Sequence, residues 1–248
     1  MAKNILFCLL FVLSLTLNVV YCTFYIEYRK FHLIDKTPVL SNGFVNYLFR
    51  GNEPTISTPN GEEFSYEQLV DCLRNSSESQ GITLPDDFYI IDIKLIYGVS
   101  SEIPVIELER NFFAANSSLG EFGTNVTLGD LWDPNFIPKS DRIEWAKNLT
   151  EWQKDNLPQR MEDYYNILNT PLDKPVVLFF HCLCGCDRTG EIAASYVMRY
   201  FGWDFITALD WDEKIAGRPI MPNNKWGAQW YCLYLKYSLN MDIDCDDI

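Results

Sequence analysis

The sequence is short of positive charge. It has 20 Lys and Arg residues against 34 Asp and Glu residues, which gives a formal net charge of −14 at pH 7. Such an acidic chain is a poor partner for nucleic acid and for an anionic membrane surface, because both would repel it. We therefore expect no nucleic-acid partner and no stable membrane association after signal cleavage. Any anion must be bound at a locally basic site.

The chain also lacks internal repeats, low-complexity tracts and, after its first 22 residues, any second long apolar run. Its hydrophobic share of 48% and aromatic share of 15% exclude global disorder. A chain of 248 residues is long enough to bury a sizeable core. No clear linker divides it, so we expect a single domain over residues 23–248.

The one long apolar run lies at the N-terminus. Lys3 precedes an apolar stretch from Ile5 to Val20, and small residues near Cys22 suit a cleavage point. The stretch is short for a membrane span and is typical of a secretory signal peptide over residues 1–22, with an uncleaved anchor as the alternative. Four Asn-x-Ser/Thr acceptor sites follow it: Asn75, Asn116, Asn125 and Asn148. We therefore expect a glycoprotein of the secretory pathway, secreted or lumenal.

The stretch VVLFFHCLCGCDRTG, residues 176–190, holds the residues with the clearest chemistry. The apolar run 176–180 predicts a buried strand, and apolar residues at helical spacing over 191–201 predict a helix. The loop between them begins with His181 and Cys182. In this arrangement the backbone N–H groups of the loop and the helix N-terminus both face an anion. The sequence therefore predicts a phosphate site at the end of the strand.

Three side chains in this stretch suit phosphoryl transfer. Arg188 can hold two phosphate oxygens at once. Cys182 would lie in the same positive field, which favours the nucleophilic thiolate. Thr189 can offer its hydroxyl to that thiolate or to the leaving group. We therefore expect Cys182, Arg188 and Thr189 to be catalytic.

The spacing Cys182-x5-Arg188 resembles the signature of the protein tyrosine phosphatase superfamily. A longer pattern, similar to the dual-specificity and atypical tyrosine phosphatases, reads His181-Cys182-x-x-Gly185-x-Asp187-Arg188-Thr189-Gly190. The resemblance is strongest over residues 155–239. A weaker likeness to the N-terminal segment of dual-specificity phosphatases lies at Phe49-Arg50-Gly51.

The resemblance implies a fold and a reaction. The fold is α/β, a central mixed sheet flanked by helices in three layers, with the site at the carboxyl end of a central strand. The reaction is hydrolysis of a phosphomonoester through a phosphocysteine on Cys182, with no metal or other cofactor. Arg188 and the loop N–H groups hold the equatorial oxygens. The implied substrate-binding positions are His181, Leu183, Cys184, Gly185, Cys186, Asp187, Arg188 and Gly190.

The same resemblance implies a general acid shortly before the helix predicted over 157–168. Asp155 is our candidate for this proton donor, and Glu151 and Asp141 are the alternatives. His181 is expected to orient the loop by hydrogen bonds and to take no proton.

The variable positions of the loop bear on the substrate. Leu183, Cys184, Cys186 and Asp187 include no basic residue, whereas phosphoinositide phosphatases resembling this family often place lysines there. We therefore expect a phosphorylated partner that carries one phosphate, either phosphotyrosine in a protein or another monophosphate ester. A phosphoinositide or inositol phosphate stays an alternative.

Two further interpretations stay open. A pseudophosphatase would bind phosphate through Arg188 without turnover. The alternating Cys182, Cys184 and Cys186 also suit a soft-metal or disulfide cluster, although Arg188 and the glycines would then have no role. Cys184 and Cys186 are candidate redox partners of Cys182, as is the distant Cys72.

Secreted cysteines are usually paired. Cys72–Cys245 and Cys232–Cys245 are candidate disulfides that the sequence alone does not separate. For the rest of the chain, composition and periodicity predict short helices over 65–73 and 141–152, a strand over 89–97, loops over 108–138, and helices over 157–168 (capped by Asn156), 203–215 and 226–239.

Overall fold

The computed structural model describes residues 26–246. The predicted signal peptide, residues 1–22, lies outside the described residues. Within the described part, the strands are β1 His32–Lys36, β2 Tyr47–Asn52, β3 Thr55–Thr58, β4 Gly61–Phe64, β5 Tyr89–Ile96, β6 Gly120–Val126 and β7 Val176–Cys182. The α-helices are α1 Tyr66–Ser79, α2 Ile103–Ala115, α3 Lys139–Lys147, α4 Leu149–Trp152, α5 Leu157–Asn169, α6 Asp187–Phe201, α7 Phe205–Ala216 and α8 Pro222–Tyr237.

Five strands form one mixed sheet in the order β1-β2-β7-β5-β6. β1 pairs antiparallel with β2, and the other neighbours pair in parallel. A separate hairpin joins β3 to β4. The α/β class and the central mixed sheet are therefore confirmed. The carboxyl ends of the parallel strands meet at one edge of the sheet, which is where α/β folds place their ligands.

β7 lies at the centre of the sheet and is buried along its whole length. Val177 and Phe179 pack into the core on one face, and Leu178 and Phe180 pack into the core on the other. A parallel strand covered on both faces has no polar side, which explains its uninterrupted apolar run.

Helices cover both faces of the sheet, which gives three layers. One face packs against α1 and α2 through residues that include Leu69, Leu73 and Phe113. The other packs against α5, α6 and α8, with Tyr164, Tyr196 and Trp230 among its buried side chains. Over residues 26–246, no helix combines the length and the apolar character that crossing a membrane requires.

The loop prediction for residues 108–138 is wrong. α2 continues to Ala115, and Gly120–Val126 forms β6. β6 pairs only with β5, as an edge strand, and most of its residues are partly or fully exposed. An edge strand with two glycines and polar residues has neither a continuous apolar run nor a regular alternation, so no strand pattern showed in the sequence.

Several helix boundaries also differ from the prediction. α1 extends beyond residue 73 to Ser79, and α6 begins at Asp187. The predicted cap Asn156 does occupy the position before α5, but its φ is 45° and its side chain makes no capping hydrogen bond. The capping role assigned to Asn156 is therefore wrong.

Of the two candidate disulfides, Cys232–Cys245 is present, with a Cα–Cα distance of 5.6 Å. Cys72 is a buried thiol on α1, so the Cys72–Cys245 alternative is wrong. Cys182, Cys184 and Cys186 are also thiols in this structure. The disulfide joins Cys245 to Cys232 of α8. A second contact between the same segments is the hydrogen bond that Gln229 Nε2 donates to the carbonyl of Cys245 over 3.0 Å.

Candidate active site

Cys182 ends β7 and is followed by residues 183–186, which we call the motif loop, and then by α6. The thiol is buried, with 2% of the residue exposed. Burial raises the pKa of the Cys182 thiol, but the Arg188 guanidinium, the Thr189 hydroxyl and the backbone N–H groups of Thr189 and Cys186 outweigh that effect, so that the pKa is lowered. The strand, loop and helix predicted from the sequence therefore place Cys182 where a thiolate is favoured.

The guanidinium of Arg188 is held in place through its Nη1 atom. Its Nη1 donates to the carbonyl of Leu95 over 2.8 Å and to Glu102 Oε1 over 2.7 Å. Its guanidinium lies 4.0 Å from the ring centroid of Tyr97. Both hydrogen bonds use Nη1, and within residues 26–246 no partner is found for Nη2 or Nε. Two parallel N–H donors are therefore left for an oxyanion, the geometry that makes arginine a bidentate phosphate ligand.

Glu102 connects Arg188 to the segment that follows β5. Its carboxylate also accepts the backbone N–H groups of Tyr97, Gly98 and Val99. Burial raises the pKa of Glu102, but these N–H groups and Arg188 outweigh it, so that the pKa is lowered. Glu102 therefore stays ionised and positions Arg188; it is a poor proton donor.

The backbone of the motif loop is held in place at Gly185 by contacts with β2. This residue has φ of +65°, and a Cβ there would lie 2.6 Å from the carbonyl oxygen of Gly51. Arg50 Nη2 donates to the carbonyl of Gly185 over 2.6 Å and pairs with Asp212 of α7. Arg50, noted in the sequence only as part of an aromatic-Arg-Gly unit, thus fixes the loop backbone.

The other predicted positions of this stretch have distinct roles. Asp187 does not face outward as an unpaired acid, because Arg218 holds both of its oxygens over 2.8 and 2.6 Å. Leu183 lines a cavity of about 180 Å³ together with Arg188. Gly190 lies where a Cβ would come within 2.6 Å of Asp212 Oδ2, so it allows α6 and α7 to approach.

His181 belongs to a set of five buried ionisable residues that we call the buried charge cluster: Glu53, Asp92, Lys94, Glu109 and His181. His181 Nε2 lies 3.0 Å from Glu109 Oε2 and 3.2 Å from Asp92 Oδ1. Burial lowers the pKa of His181, but the two carboxylates outweigh it and raise the pKa to about 10. His181 is therefore a buried cation that joins β7 to β5 and α2. Its ring contacts these elements, and no bond to the motif loop is found for it in the described part of the chain.

The same cluster contains the one metal-type arrangement of His, Cys, Asp and Glu ligands within residues 26–246. The ligand atoms of Asp92, Glu109 and His181 lie within 4.8 Å of one another. Lys94 Nζ, however, lies 2.7 Å from Glu53 Oε2 and also bonds to Glu109, so positive charge already occupies the cluster. The expectation that no metal takes part stays a prediction.

The candidate acid Asp155 lies one residue before Asn156, in a buried position with 1% of the residue exposed. Its two oxygens accept the backbone N–H groups of Leu128 and Gly129 over 2.7–2.9 Å. Asp155 therefore holds the segment after β6. The alternatives Glu151 and Asp141 are exposed, on α4 and α3.

That segment carries another carboxyl group that the sequence did not point to. Asp130 is 8% exposed, and its Oδ2 accepts a hydrogen bond from Gln153 over 2.9 Å. Burial and the nearby Asp155 raise the pKa of Asp130 to about 6, although the Gln153 bond lowers it. Burial, Asp155 and Asp130 also raise the pKa of Glu191, in the first turns of α6. Within this acidic cluster of Asp130, Asp155 and Glu191, the raised pKa favours the protonated form of Asp130 and of Glu191.

The sequence did hold a sign of the residues that were missed. β5 reads YIIDIKLI, and Asp92 and Lys94 interrupt an otherwise apolar run at alternate positions. Charged residues inside a buried strand need charged partners. Glu102, Glu109 and Asp130 carried no such sign, because each is an acidic residue in an ordinary polar context and only the fold brings it to its partner, Arg188, His181 or Gln153.

No protein family model and no curated protein matches the chain. Among solved structures, it is similar to PTPMT1 in complex with PI(5)P, at 13% identity and a TM-score of 0.37 over 85% of this chain and 96% of that one. It is similar to a leucine rich repeat and phosphatase domain containing protein from Entamoeba histolytica, at 11% identity and a TM-score of 0.34 over 82% and 94%. It is also similar to the human tyrosine phosphatase-like serine/threonine/tyrosine-interacting protein, at 14% identity and a TM-score of 0.33 over 84% and 97%. At these values no function is carried over from them.

Proposed function

We propose that this protein is a cysteine-dependent phosphomonoester phosphatase. The observation that carries the proposal is the position of Cys182 and Arg188 on either side of one short loop. The thiol has a lowered pKa, and the arginine keeps two N–H donors available after it has been fixed by Glu102 and Leu95. A nucleophile and an oxyanion clamp in one preorganised site are the two requirements of phosphoryl transfer to a thiol.

The reaction proceeds in two steps. Cys182 Sγ attacks phosphorus, and the bond from phosphorus to the ester oxygen breaks while a carboxylic acid protonates that oxygen. Arg188 and the loop N–H groups hold the three equatorial oxygens as their charge spreads. Water then attacks the phosphorus of the phosphocysteine and gives a proton to the carboxylate left by the first step. The bond from phosphorus to sulfur breaks, inorganic phosphate is released and Cys182 is restored, with Thr189 as hydroxyl donor to the departing sulfur.

Asp155 is the acid that the sequence favoured, and Asp130 is the alternative that its pKa supports. Asp155 already accepts the backbone N–H groups of Leu128 and Gly129, so its carboxylate holds that segment in place. Asp130, with a pKa of about 6, is protonated in a useful fraction of molecules at weakly acidic pH. We therefore propose that Asp130 protonates the leaving group and that Asp155 holds the segment that carries it.

The preferred substrate class is a monophosphate ester, such as phosphotyrosine in a protein. Two cations do lie beside the motif loop, but each is already engaged. Lys30 pairs with Glu27 over 2.7 Å, and Arg218 pairs with Asp187. Neither is therefore placed to meet a second phosphate on a phosphoinositide or an inositol phosphate.

The decisive experiment is hydrolysis of para-nitrophenyl phosphate by the wild-type protein, Cys182→Ser and Arg188→Lys. We expect Cys182→Ser to have no activity and Arg188→Lys to lose about a hundredfold or more in kcat, since the bidentate clamp is removed. Circular dichroism should show that both variants keep the wild-type fold. Wild-type turnover by Cys182→Ser would refute the proposal.

The same protein also tests the alternatives. A pseudophosphatase would bind phosphate, with loss of binding in Arg188→Lys, but would release no product from any ester. To assign the substrate class, a phosphotyrosyl peptide is compared with a polyphosphoinositide at equal concentration. A higher kcat/KM for the polyphosphoinositide would overturn the preference for a monophosphate ester.

We further propose that the protein is glycosylated in the secretory pathway. Asn75 and Asn148 are exposed, whereas Asn125 Oδ1 accepts the Tyr164 hydroxyl over 2.8 Å. Glycan occupancy should therefore be highest at Asn75 and Asn148. Expression in a eukaryotic cell, followed by glycosidase treatment and mass spectrometry, measures it; an unglycosylated protein with residues 1–22 still attached would contradict the proposal.

A further inference from the structure

Cys184 and Cys186 are the two thiols of the motif loop that the proposed phosphatase chemistry leaves without a task. They lie in the motif loop on either side of Gly185, and they differ in exposure. Cys184 is half-buried and reaches the surface, whereas Cys186 is 1% exposed. Neither is in a disulfide in this structure.

Two positive charges lie against the sulfur of Cys184. Lys30 Nζ is 3.6 Å from Cys184 Sγ and also donates to the carbonyl of Cys184 over 2.9 Å. Arg218 Nη2 is 4.0 Å from the same sulfur. Lys30 also pairs with Glu27, and Arg218 also pairs with Asp187. Cations at this distance from a sulfur still favour the thiolate, which is the form that attacks disulfides. They come from distant parts of the chain, one before β1 and one after α7, and both lie against this sulfur.

Cys186 has the opposite environment. Its Sγ donates to the carbonyl of Cys184 over 3.4 Å and lies within 3.9 Å of the carbonyl of Ala216. Its hydrogen bond to the Cys184 side chain and its burial raise the pKa of the Cys186 thiol. A half-buried thiol beside cations, next to a fully buried thiol that keeps its proton, is the arrangement of an attacking and a resolving cysteine.

We propose that Cys184 and Cys186 form a thiol–disulfide exchange site, distinct from the Cys182 nucleophile, whose substrate is a low-molecular-weight disulfide such as glutathione disulfide. The Cys184 thiolate attacks one sulfur of the disulfide, forms a mixed disulfide and releases one glutathione thiolate. The sulfur of Cys186 then attacks Cys184 Sγ and displaces the second glutathione, which takes the proton that Cys186 loses. Two protein thiols are oxidised and one disulfide is reduced to two thiols.

The backbone permits this closure. Two peptide units span at most about 7 Å, and a curled loop is shorter, so the two Cα atoms can reach the roughly 4.4–6.8 Å that a disulfide needs. Gly185 between them has φ of +65°, a conformation that curls the chain. Cys182 is less suited to exchange, because only 2% of the residue is exposed, whereas Cys184 is half-buried.

Closure would also reach the phosphate site. The N–H of Cys186 lowers the pKa of Cys182, so a disulfide that rotates Cys186 would withdraw a hydrogen-bond donor from the nucleophile. This consequence rests on the proposed phosphatase function, whereas the exchange chemistry does not.

The test follows the folded protein as it reacts with glutathione disulfide. Samples are quenched with acid, remaining thiols are alkylated, and intact mass and peptide mapping locate each modification over time. We expect the wild-type protein to lose two thiols at Cys184 and Cys186 with no glutathione retained. Cys186→Ser should instead hold one glutathione on Cys184, and Cys184→Ser should form no intramolecular disulfide at Cys186.

The cations provide a graded test. Arg218→Gln and Lys30→Gln should each slow the reaction of Cys184 by about fivefold or more, and Lys30→Arg should restore most of the rate. Lys214→Gln removes an exposed lysine of α7 and is the matched control, with an unchanged rate expected. The half-exposed Arg218 keeps the test valid if Lys30→Gln does not fold.

Two results would overturn the proposal. One is first reaction at Cys182, with Cys184 and Cys186 left reduced. The other is a Cys184 rate that neither cation variant changes. Hydrolysis of para-nitrophenyl phosphate, measured on the same samples before and after dithiothreitol, separates the two proposals. A disulfide that forms in a protein without phosphatase activity refutes only the phosphatase function.

Discussion

Replacing Lys94 by Met should destabilise the centre of the sheet, because it leaves two buried carboxylates without their shared cation. Lys94 Nζ lies 2.7 Å from Glu53 Oε2 and also bonds to Glu109 Oε1. The three side chains are 0–3% exposed, so water does not replace the lost charge. Met keeps the apolar stem of the lysine, which limits any loss of packing.

The expected size of the effect follows from these contacts. Removal of one partner from a buried ion pair costs about 3–5 kcal/mol. Glu109 keeps His181 at 3.0 Å, whereas Lys94 is the one ion-pair partner found for Glu53 within residues 26–246. We therefore expect a loss near the lower end, about 3 kcal/mol, and domains of this kind have about 5–15 kcal/mol in total.

Urea denaturation at pH 7, followed by circular dichroism, measures the loss. The matched control is Lys174→Met, which breaks the exposed Lys174–Asp87 pair at 2.8 Å and should cost less than about 1 kcal/mol. A double variant, Lys94→Met with Glu53→Gln, should recover part of the stability, because the stranded carboxylate is then neutral. A cost for Lys94→Met no larger than that of Lys174→Met would refute the reasoning.

The pH profile, the motif loop and the candidate acid each give a further test. The free energy of unfolding should fall as pH rises from about 6.5 to about 10, by up to about 1.4 kcal/mol per pH unit. The reason is that folded His181 keeps a proton that the unfolded chain releases. Urea midpoints that stay flat over this pH range would contradict this prediction. Gly185→Ala should lower Tm and kcat/KM more than Gly43→Ala, since both glycines have positive φ but only the Cβ at Gly185 meets another atom. Asp130→Asn should remove the decline of kcat above about pH 6 and lower kcat by about a hundredfold; a full decline in Asp130→Asn would return the role to Asp155.

The central part of the fold was predictable because its physics is local. β7 is buried on both faces, so its apolar run is unbroken. A short loop follows it directly, and then comes a helix whose apolar residues recur at helical spacing. Cys182 and Arg188 could be found for the same reason, since one short stretch of chain carries both.

The environment of the site was not predictable in this way. Glu102 reaches Arg188, and Lys30 and Arg218 reach Cys184, from three distant segments, and nothing in their own neighbourhoods marks them. β6 was missed because an edge strand with two glycines has no regular pattern. In both cases the structure depends on contacts between residues that are far apart in sequence, and local composition does not indicate such contacts.

The position of β7 in the sheet also has a consequence for how the protein becomes reactive. Tyr47 pairs with Val177 and Tyr89 pairs with Val176, so the strand that carries Cys182 is inserted between two strands that were synthesised much earlier. Until β7 is in place, the sheet consists of two separate halves, each with an unpaired inner edge, and such non-local pairing is slow. Arg188 is fixed by Leu95 of β5 and by Glu102 after it, so the guanidinium is held in place only when β7 has joined β5. The activated thiolate therefore requires the assembled sheet, and an unfolded chain carries an ordinary thiol in its place.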